Sequence, residues 1–462
     1  MDSTRQLNSV FYPKSVAVVG ASTNPEKVGY LCLTNILDAG FQGKVYPVNP
    51  TLSEAFGLKV FPSIRAIPGD VDIALIVVPP EAAVAAVADC AVKGVKGAIL
   101  ITSGFKEVGT ATGQDLQQKL SDIARGNGLH VIGPNTLGLV NPAINLNATF
   151  DIALNAIKSG NVAVAAQSGG MCHFIVQSLD KHNVGVSQAM GLGNRSGLDF
   201  DEVVAYWAQN EATRVIVLYM EGLEQPRRLM DTVRKMVPRK PVLVLKGGRS
   251  EQANRVTLSH TGALAGKDEL YRAAFKQSGI MAVDNTTELV DKAKALSLQA
   301  PPQGNRIAVI SAMGGPSIVM CDRCYRMGLL LSQFAPATWQ RLRRAISPLT
   351  SVDNPVDVAW GVGDYAASRE ILQAVIGDEG VDGVTISLDG SNLSLPFVRA
   401  LLEIAPDCGK PVTVSLGLER GSADVQPALL EEKGIPTYPV PERAVTGLAG
   451  LVRYGEIRRR FS

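Results

Sequence analysis

Short apolar runs separated by amphipathic segments recur along almost the whole chain. The first are Ser15-Val16-Ala17-Val18-Val19, Lys44-Val45-Tyr46-Pro47-Val48, Ile73-Ala74-Leu75-Ile76-Val77-Val78 and Gly97-Ala98-Ile99-Leu100-Ile101. Further runs lie at 162–165, 215–219, 242–245, 307–310, 384–388 and 412–416. They are short, β-branched and nearly free of polar residues, the pattern of strands covered on both faces in parallel α/β sheets. Between them, segments such as 81–92 and 114–125 have helical periodicity and good helix formers.

The pattern predicts three units. The first, 1–150, opens with strand, glycine turn and helix. The second, 151–300, repeats that opening and carries the segment around His260. The run Gln299-Ala300-Pro301-Pro302-Gln303-Gly304 is a boundary by composition, because Pro-Pro cannot continue a helix. The third unit, 305–462, starts again with a strand and Gly-Gly. A weak internal repeat relates Ala163-Val164-Ala165-Ala166-Gln167-Ser168-Gly169-Gly170 to Ala308-Val309-Ile310-Ser311-Ala312-Met313-Gly314-Gly315.

Composition narrows the class. Apolar residues make up 46% of the 462 positions and charged residues 19%, which fits a globular protein with ample core. A net charge of +2, with both signs interspersed, gives no reason to expect a nucleic-acid partner. The polar N-terminus lacks a signal-peptide core, and no apolar run reaches membrane-spanning length; the expectation is a cytoplasmic protein without membrane association. Six scattered cysteines fit a reducing compartment. Cys321 and Cys324 form a CxxC inside an expected helix, with no second ligand pair nearby, so no metal site is expected there.

Four segments carry candidate chemistry. Gly20, Ala21, Ser22 and Lys27 follow the first strand and precede a helix. Glycine there lets the backbone approach a phosphate, and a helix N-terminus offers unpaired N–H groups to it; a merely structural turn is the alternative. Asn49-Pro50, Pro79-Pro80 and Ser103-Gly104 end later strands, at the carboxyl edge where open α/β sheets bind ligands. Of four histidines, His130, His173, His182 and His260, only His260 sits among small residues, in Ser259-His260-Thr261-Gly262. A neutral imidazole there can attack phosphorus, although a lone histidine is more often structural. Glu221 ends the strand 215–219, where a carboxylate can fix a histidine tautomer or simply be solvated. Ser168-Gly169-Gly170 and Gly314-Gly315 each open a helix whose free N–H groups suit a phosphoryl group, though Gly-Gly can also be only a tight turn.

In order, Gly-Ala-Ser-x-x-Pro-x-Lys-x-Gly, Pro-Val-Asn-Pro, Val-Pro-Pro, Ser-Gly-Phe-x-Glu, Gly-Pro-Asn-x-Leu-Gly, Gln-Ser-Gly, Glu-Gly, Ser-His-Thr-Gly-x-Leu-Ala-Gly, Gly-Gly-Pro and Asn-Pro-Val-Asp run through the chain. The set resembles the α-subunit of ADP-forming acetyl-CoA synthetases, relatives of succinyl-CoA synthetase. The resemblance implies an α/β fold with an N-terminal Rossmann-like CoA-binding domain followed by two flavodoxin-like parallel-sheet domains. It implies an acid–thiol ligase: carboxylate, CoA and a nucleoside triphosphate give acyl-CoA, nucleoside diphosphate and phosphate, through acyl phosphate and phosphohistidine. On that reading Gly20, Ala21, Ser22, Lys27, Asn49, Pro79, Ser103 and Gly104 hold CoA. Asn135, Gln167 and Ser168 lie near the acyl and phosphate groups, and Glu221 orients His260. Gly169-Gly170 and Gly314-Gly315 start the paired phosphate helices.

Two places depart from the family pattern: Ala166 stands where Ser or Thr is frequent, and where an acidic residue is common a few positions after Gly-Asn this chain reads Gly193-Asn194-Arg195-Ser196-Gly197-Leu198-Asp199. The chain shows no block with a lysine- and glycine-rich nucleotide lid and paired carboxylates. ATP or GTP with Mg²⁺ is therefore expected on a separate ATP-grasp β-subunit, in an α₂β₂ assembly. The alternatives are a CoA- or nucleotide-responsive regulatory protein of the same fold and an NAD-dependent oxidoreductase. The latter is disfavoured by the missing acidic residue after the second strand.

Overall fold

This computed structural model describes residues 3–253, 267–359, 362–417 and 427–462. The chain forms two compact units, Met1–Asp284 and Asn285–Ser462.

The first unit holds two large sheets. The N-terminal one has five parallel strands in the order Lys44–Val48, Ser15–Val19, Ile73–Ile76, Gly97–Leu100, His130–Ile132. All four residues of Ile73–Ile76 and of Gly97–Leu100 are buried. The helix Pro80–Lys93 buries Ala83, Val87 and Cys90 in the core that contains Ile76, Ala98 and Leu100. It ends at Gly94, whose φ of +80° closes the helix in the left-handed region.

The second sheet orders Met281–Val283, Val242–Lys246, Val215–Met220, Ser159–Ala166 and Val186–Gly191 as parallel neighbours. The antiparallel hairpin Gly138–Asn141 and Leu146–Thr149 completes its edge through the pairs Ala189–Val140 and Met190–Leu139. The sheets thus divide the chain differently from breaks near 150 and 300. The hairpin belongs to the second sheet, because its backbone groups pair with Val186–Gly191. The helix Thr286–Leu298 belongs to the second unit, where its buried side packs on Pro441–Phe461.

The N-terminal helix Ser3–Phe11 touches both sheets of the first unit. Val10 packs against Gly97, where an added Cβ would lie 2.9 Å from a Val10 methyl. Phe11 stacks on Tyr206 with ring centroids 4.6 Å apart.

The second unit has a parallel sheet ordered Leu330–Leu331, Arg306–Ser311, Gly383–Leu388, Val412–Leu416, Thr437–Tyr438, with Val356–Asp357 also paired to Arg306–Ser311. In each of these three sheets, Val356–Asp357 set aside, the parallel strands run in the order second, first, third, fourth, fifth, the Rossmann-like and flavodoxin-like arrangement. The chain reverses direction across the sheet between the first and third strands, and ligands of such folds bind in the crevice at those strands' carboxyl ends. The Gly20, Gln167–Gly170 and Gly314–Gly315 turns each follow a first strand.

Candidate active site

In the N-terminal sheet, Gly20 and Ala21 donate their N–H groups to Val48 O at 3.0 and 3.2 Å. Gly20 has φ +95°, in the region that favours glycine. The helix Val28–Asp38 approaches so closely that a Cβ on Gly29 would lie 1.9 Å from Gly20 O. Asn49 braces the turn: its Nδ2 donates to Ala21 O at 2.9 Å, and its Oδ1 accepts from Thr51 N at 2.9 Å. Ser22 Oγ accepts from Asn24 N at 3.0 Å. The exposed Lys27 immediately precedes the helix. Asn49 therefore shapes the turn through its side chain, whereas Lys27 offers a charge to solvent.

Pro79 precedes the helix Pro80–Lys93, and Gly104, with φ +107°, passes so near that a Cβ would lie 2.7 Å from Pro80 Cγ. Glu107, not singled out among the sequence candidates, ties this edge to the second sheet. Its Oε1 accepts from Gly104 N at 2.6 Å, and its Oε2 accepts from Asn194 Nδ2 at 2.5 Å.

In the second sheet Ser168 caps the helix Gly169–Lys181, its Oγ accepting from Met171 N at 3.3 Å. Gln167 and Glu221 follow adjacent strands and are 5% and 7% exposed, so their polar atoms need internal partners. Gln167 Oε1 accepts the N–H groups of Glu221 and Gly222 at 2.9 and 3.2 Å. Glu221 Oε1 accepts from Tyr219 OH at 3.3 Å. Burial, reinforced by Glu221, pushes the Tyr219 phenol above its usual range. Lys246, the last residue of the strand Val242–Lys246, is 5% exposed. Burial lowers its pKa, Asp268 and Glu221 counter that shift, and its Nζ lies 4.8 Å from the Tyr271 ring centre.

These edges enclose a cavity of about 700 Å³. Its walls bring together Ser103, Asn135, Gln167, Ser168, Gly169, Gly170 and Glu221 from the sequence-based set. Asn135 reaches it from a backbone with φ +59°, its N–H donating to Thr102 O at 2.9 Å. Val28, Ile101, Leu137 and Phe150 supply apolar wall. The Gly20–Ser22 turn, Lys27, Asn49, Pro79 and Gly104 do not line this cavity; Val28 and Ser103 are its links to their edge.

Two lining residues were not expected. His173, one turn into the Gly169–Lys181 helix, bonds through Nδ1 to Asp151 Oδ2. Asp151 Oδ1 accepts from Ala153 N at 3.0 Å, so both carboxylate oxygens are engaged. The two residues stand 22 positions apart, and only the return of the second sheet's edge brings them together.

Ala166 is fully buried between strands, pairing with Gly191 and Tyr219, and Arg195 lies in a separate cavity bonded to Asp199 at 3.1 Å. In the second unit Gly314 and Gly315 open the helix Gly314–Arg326, and an added Cβ on either would meet nothing within 4 Å. The same helix contains Cys324, buried and pushed up to about 12. His260 lies outside the described residues. Among the described residues no group of three or more His, Cys, Asp or Glu could hold a metal ion, and no helix is long and apolar enough to cross a membrane.

Residues 14–142 match the family model for a CoA binding domain, and residues 159–296 that for a succinyl-CoA ligase like flavodoxin domain. The chain is 37% identical to the acetate–CoA ligase [ADP-forming] II subunit alpha of Pyrococcus furiosus, covering 97% of each. It is 34% identical to the corresponding enzyme I subunit alpha of that organism, over 97% of this chain and 98% of the relative. The structure of dinucleotide forming acetyl-coenzyme A synthetase 1 of Ca. Korarchaeum cryptofilum, in complex with phosphate and ADP, superposes with a TM-score of 0.89 at 34% identity, covering 98% of this chain and 97% of that one.

Proposed function

Because this chain belongs to the family of ADP-forming acetate–CoA ligase α-subunits, we propose that it is the CoA-binding, phosphohistidine-carrying subunit of an ADP-forming acyl-CoA synthetase. The observation that carries the reading is the cavity in which Ser103 of the CoA-type sheet meets Asn135, Gln167, the Ser168–Gly170 helix start and Glu221. A thioester delivered from the first sheet and a phosphate held at that helix N-terminus would meet in one cavity.

On this reading phosphate attacks the acyl-CoA carbonyl, the C–S bond breaks, and acyl phosphate forms against the helix N-terminus. His260 attacks the phosphorus, the carboxylate leaves, and the phosphohistidine carries the group to a nucleotide. Ser168–Gly170 would hold the phosphoryl oxygens through backbone N–H groups, and Glu221 would fix the His260 tautomer. Gly314–Gly315 open a helix of the same kind in the second unit. CoA would lie along the Gly20–Ser22 turn, which Asn49 braces, with Lys27 near its phosphates. The nucleotide and Mg²⁺ would sit on a partner subunit, in an α₂β₂ assembly in the cytoplasm.

The test is incorporation of labelled phosphate with a panel of acyl-CoAs. An acid-labile, base-stable label that is lost in His260→Ala, with CoA affinity retained, is the expected result. Retained label in His260→Ala, or an equal loss of CoA affinity, would sink the assignment. The competing regulatory reading requires that no acyl-CoA yields label even with the partner subunit added.

A further inference from the structure

Thioester formation from acyl phosphate has a proton to dispose of. A thiol of ordinary acidity, pKa ~8.5, is mostly protonated near pH 7, and the thiolate is the nucleophile. A base must therefore stand in the space where CoA sulfur meets acyl phosphate. Gln167 is a neutral amide with no basic atom, its Oε1 holding two backbone N–H groups, and Glu221, whose Oε1 accepts from Tyr219, is the carboxylate assigned above to His260.

The cavity wall offers one other titratable pair. His173 follows Gly169 by four positions on the Gly169–Lys181 helix, so it lies one turn above the helix start on the same side. Its Nδ1 is engaged by Asp151, and the other Asp151 oxygen is held by Ala153 N–H at 3.0 Å. Asp151 is itself fixed, its N–H donating to Thr149 Oγ1 at 3.0 Å. Nδ1–H donated to the carboxylate leaves the lone pair on Nε2, the tautomer of a general base, and the carboxylate stabilises the cation formed when Nε2 takes a proton. The His173 side chain is 39% exposed on a wall of the cavity, so a ligand can reach it.

We propose that His173, positioned by Asp151, is the general base that takes the proton of the CoA thiol. This rests on the function proposed above and extends it to the thiol half-reaction. The thiol proton moves to His173 Nε2, sulfur bonds the acyl carbon, and the bond from that carbon to the phosphate oxygen breaks. The imidazolium then returns the proton to the departing phosphate. Atoms and charge balance without a further reactant. In the reverse direction, Nε2 takes the proton from the attacking phosphate and gives it to the leaving thiolate. Asp151 is a positioning residue, since it acts through the imidazole.

The experiment separates the half-reactions in the assembly of this chain with its nucleotide-binding partner. Acyl-CoA-dependent labelling from phosphate reports the thiol half; phosphorylation of the chain by labelled ATP reports the nucleotide half. His173→Gln is expected to slow the thiol half roughly 100-fold. Its KM for CoA should stay within about threefold, and ATP-driven phosphorylation should be unchanged. Asp151→Asn should slow the same half about tenfold, leaving the other intact. An equal loss in both half-reactions would show a structural role and overturn the proposal. So would a changed KM for the carboxylic acid at unaltered kcat, which would make His173 a contact to the acyl chain. A wild type that runs both halves, with His173→Gln matching it, removes only His173. A wild type that runs neither overturns the proposed function and this role together.

Discussion

The Gln167 side-chain oxygen accepts both the Glu221 and the Gly222 N–H, at 2.9 and 3.2 Å, across the ends of two adjacent parallel strands. This one amide joins the turn that opens the Gly169–Lys181 helix to the turn that carries Glu221. The helix start and the carboxylate therefore keep a fixed spacing on the floor of the cavity.

Gln167→Met keeps the volume and removes the acceptor. Two N–H groups in a buried turn then lose their partner, at ~1–3 kcal/mol each. Urea unfolding should show a loss of about 2–6 kcal/mol, and phosphohistidine formation should fall more steeply than CoA affinity. Gln167→Glu retains the acceptor and should recover most of the stability. Equal stabilities for Met and Gln at this position would show that the two N–H groups find other partners.

Glycines at two helix starts should respond oppositely to alanine. At Gly29 the new Cβ would sit 1.9 Å from Gly20 O, and backbone cannot move aside cheaply. Gly29→Ala should open the first turn, weakening CoA binding at least tenfold and lowering the melting temperature. Gly315 has no atom within 4 Å of an added Cβ and lies in a helix, so Gly315→Ala should leave stability unchanged or raise it by up to ~1 kcal/mol. If a phosphoryl group uses that space, phosphoryl transfer falls while the fold holds. Calorimetry beside the labelling assay separates the two effects.

Local signals in the sequence located the parts that depend on backbone geometry. Gly20, Gly104, Ser168 and Gly169 announce turns, and their strands announce themselves by apolar runs, so the carboxyl edges of the sheets were legible. Asn49 is a CoA residue on the family resemblance alone, and the structure shows its amide bracing the turn through Ala21 O and Thr51 N. Glu107, Lys246 and the His173–Asp151 pair were not singled out. Their significance comes from partners on other elements: Glu107 from Gly104 and Asn194, Lys246 from Tyr271 and Glu221, His173 from Asp151. Periodicity along a strand or helix carries no information about such distant pairings. The pairing of the hairpin 138–149 with Val186–Gly191 is likewise a tertiary property, which a local apolar pattern does not carry.

Asp382 makes the acid stability of the second unit testable. Its carboxylate accepts from Arg306 Nε and Nη2 and from the Arg306 N–H, each at 2.9 Å. The Arg306 guanidinium holds the carboxyl below its usual range. The folded pKa is thus lower than the unfolded value of ~3.9, so the contribution is fully present above ~3.9 and is lost as pH falls through the folded pKa. Asp382→Asn should cost about 1–2 kcal/mol at pH 7, since Arg306 is half exposed although Asp382 is largely covered. The gap from wild type should stay constant down to about pH 4 and close below it. Denaturant titrations at several pH values provide the check; a gap that persists in acid would place the cost in packing rather than charge.

Phe11 is fully buried, with its ring stacked on Tyr206 at 4.6 Å and tilted toward Trp207 at 5.8 Å, and Asn141 Nδ2 donates to its carbonyl at 2.8 Å. Its neighbour Val10 packs against Gly97 of the first sheet. The N-terminal helix is therefore a pin between the sheet that carries Ser103 and the sheet that carries Gln167 and Glu221. Phe11→Ala removes the ring from a packed site, at ~3–5 kcal/mol. Phe11→Leu, which fills part of the space, should cost less than half as much. Because the ring sits far along the chain from the chemistry, CoA binding to the first sheet should survive in Phe11→Ala, whereas the thiol half-reaction, which needs both walls, should slow. Unfolding curves with CoA titration decide it: an unchanged rate at a lowered midpoint would mean that the two sheets hold their spacing without the pin.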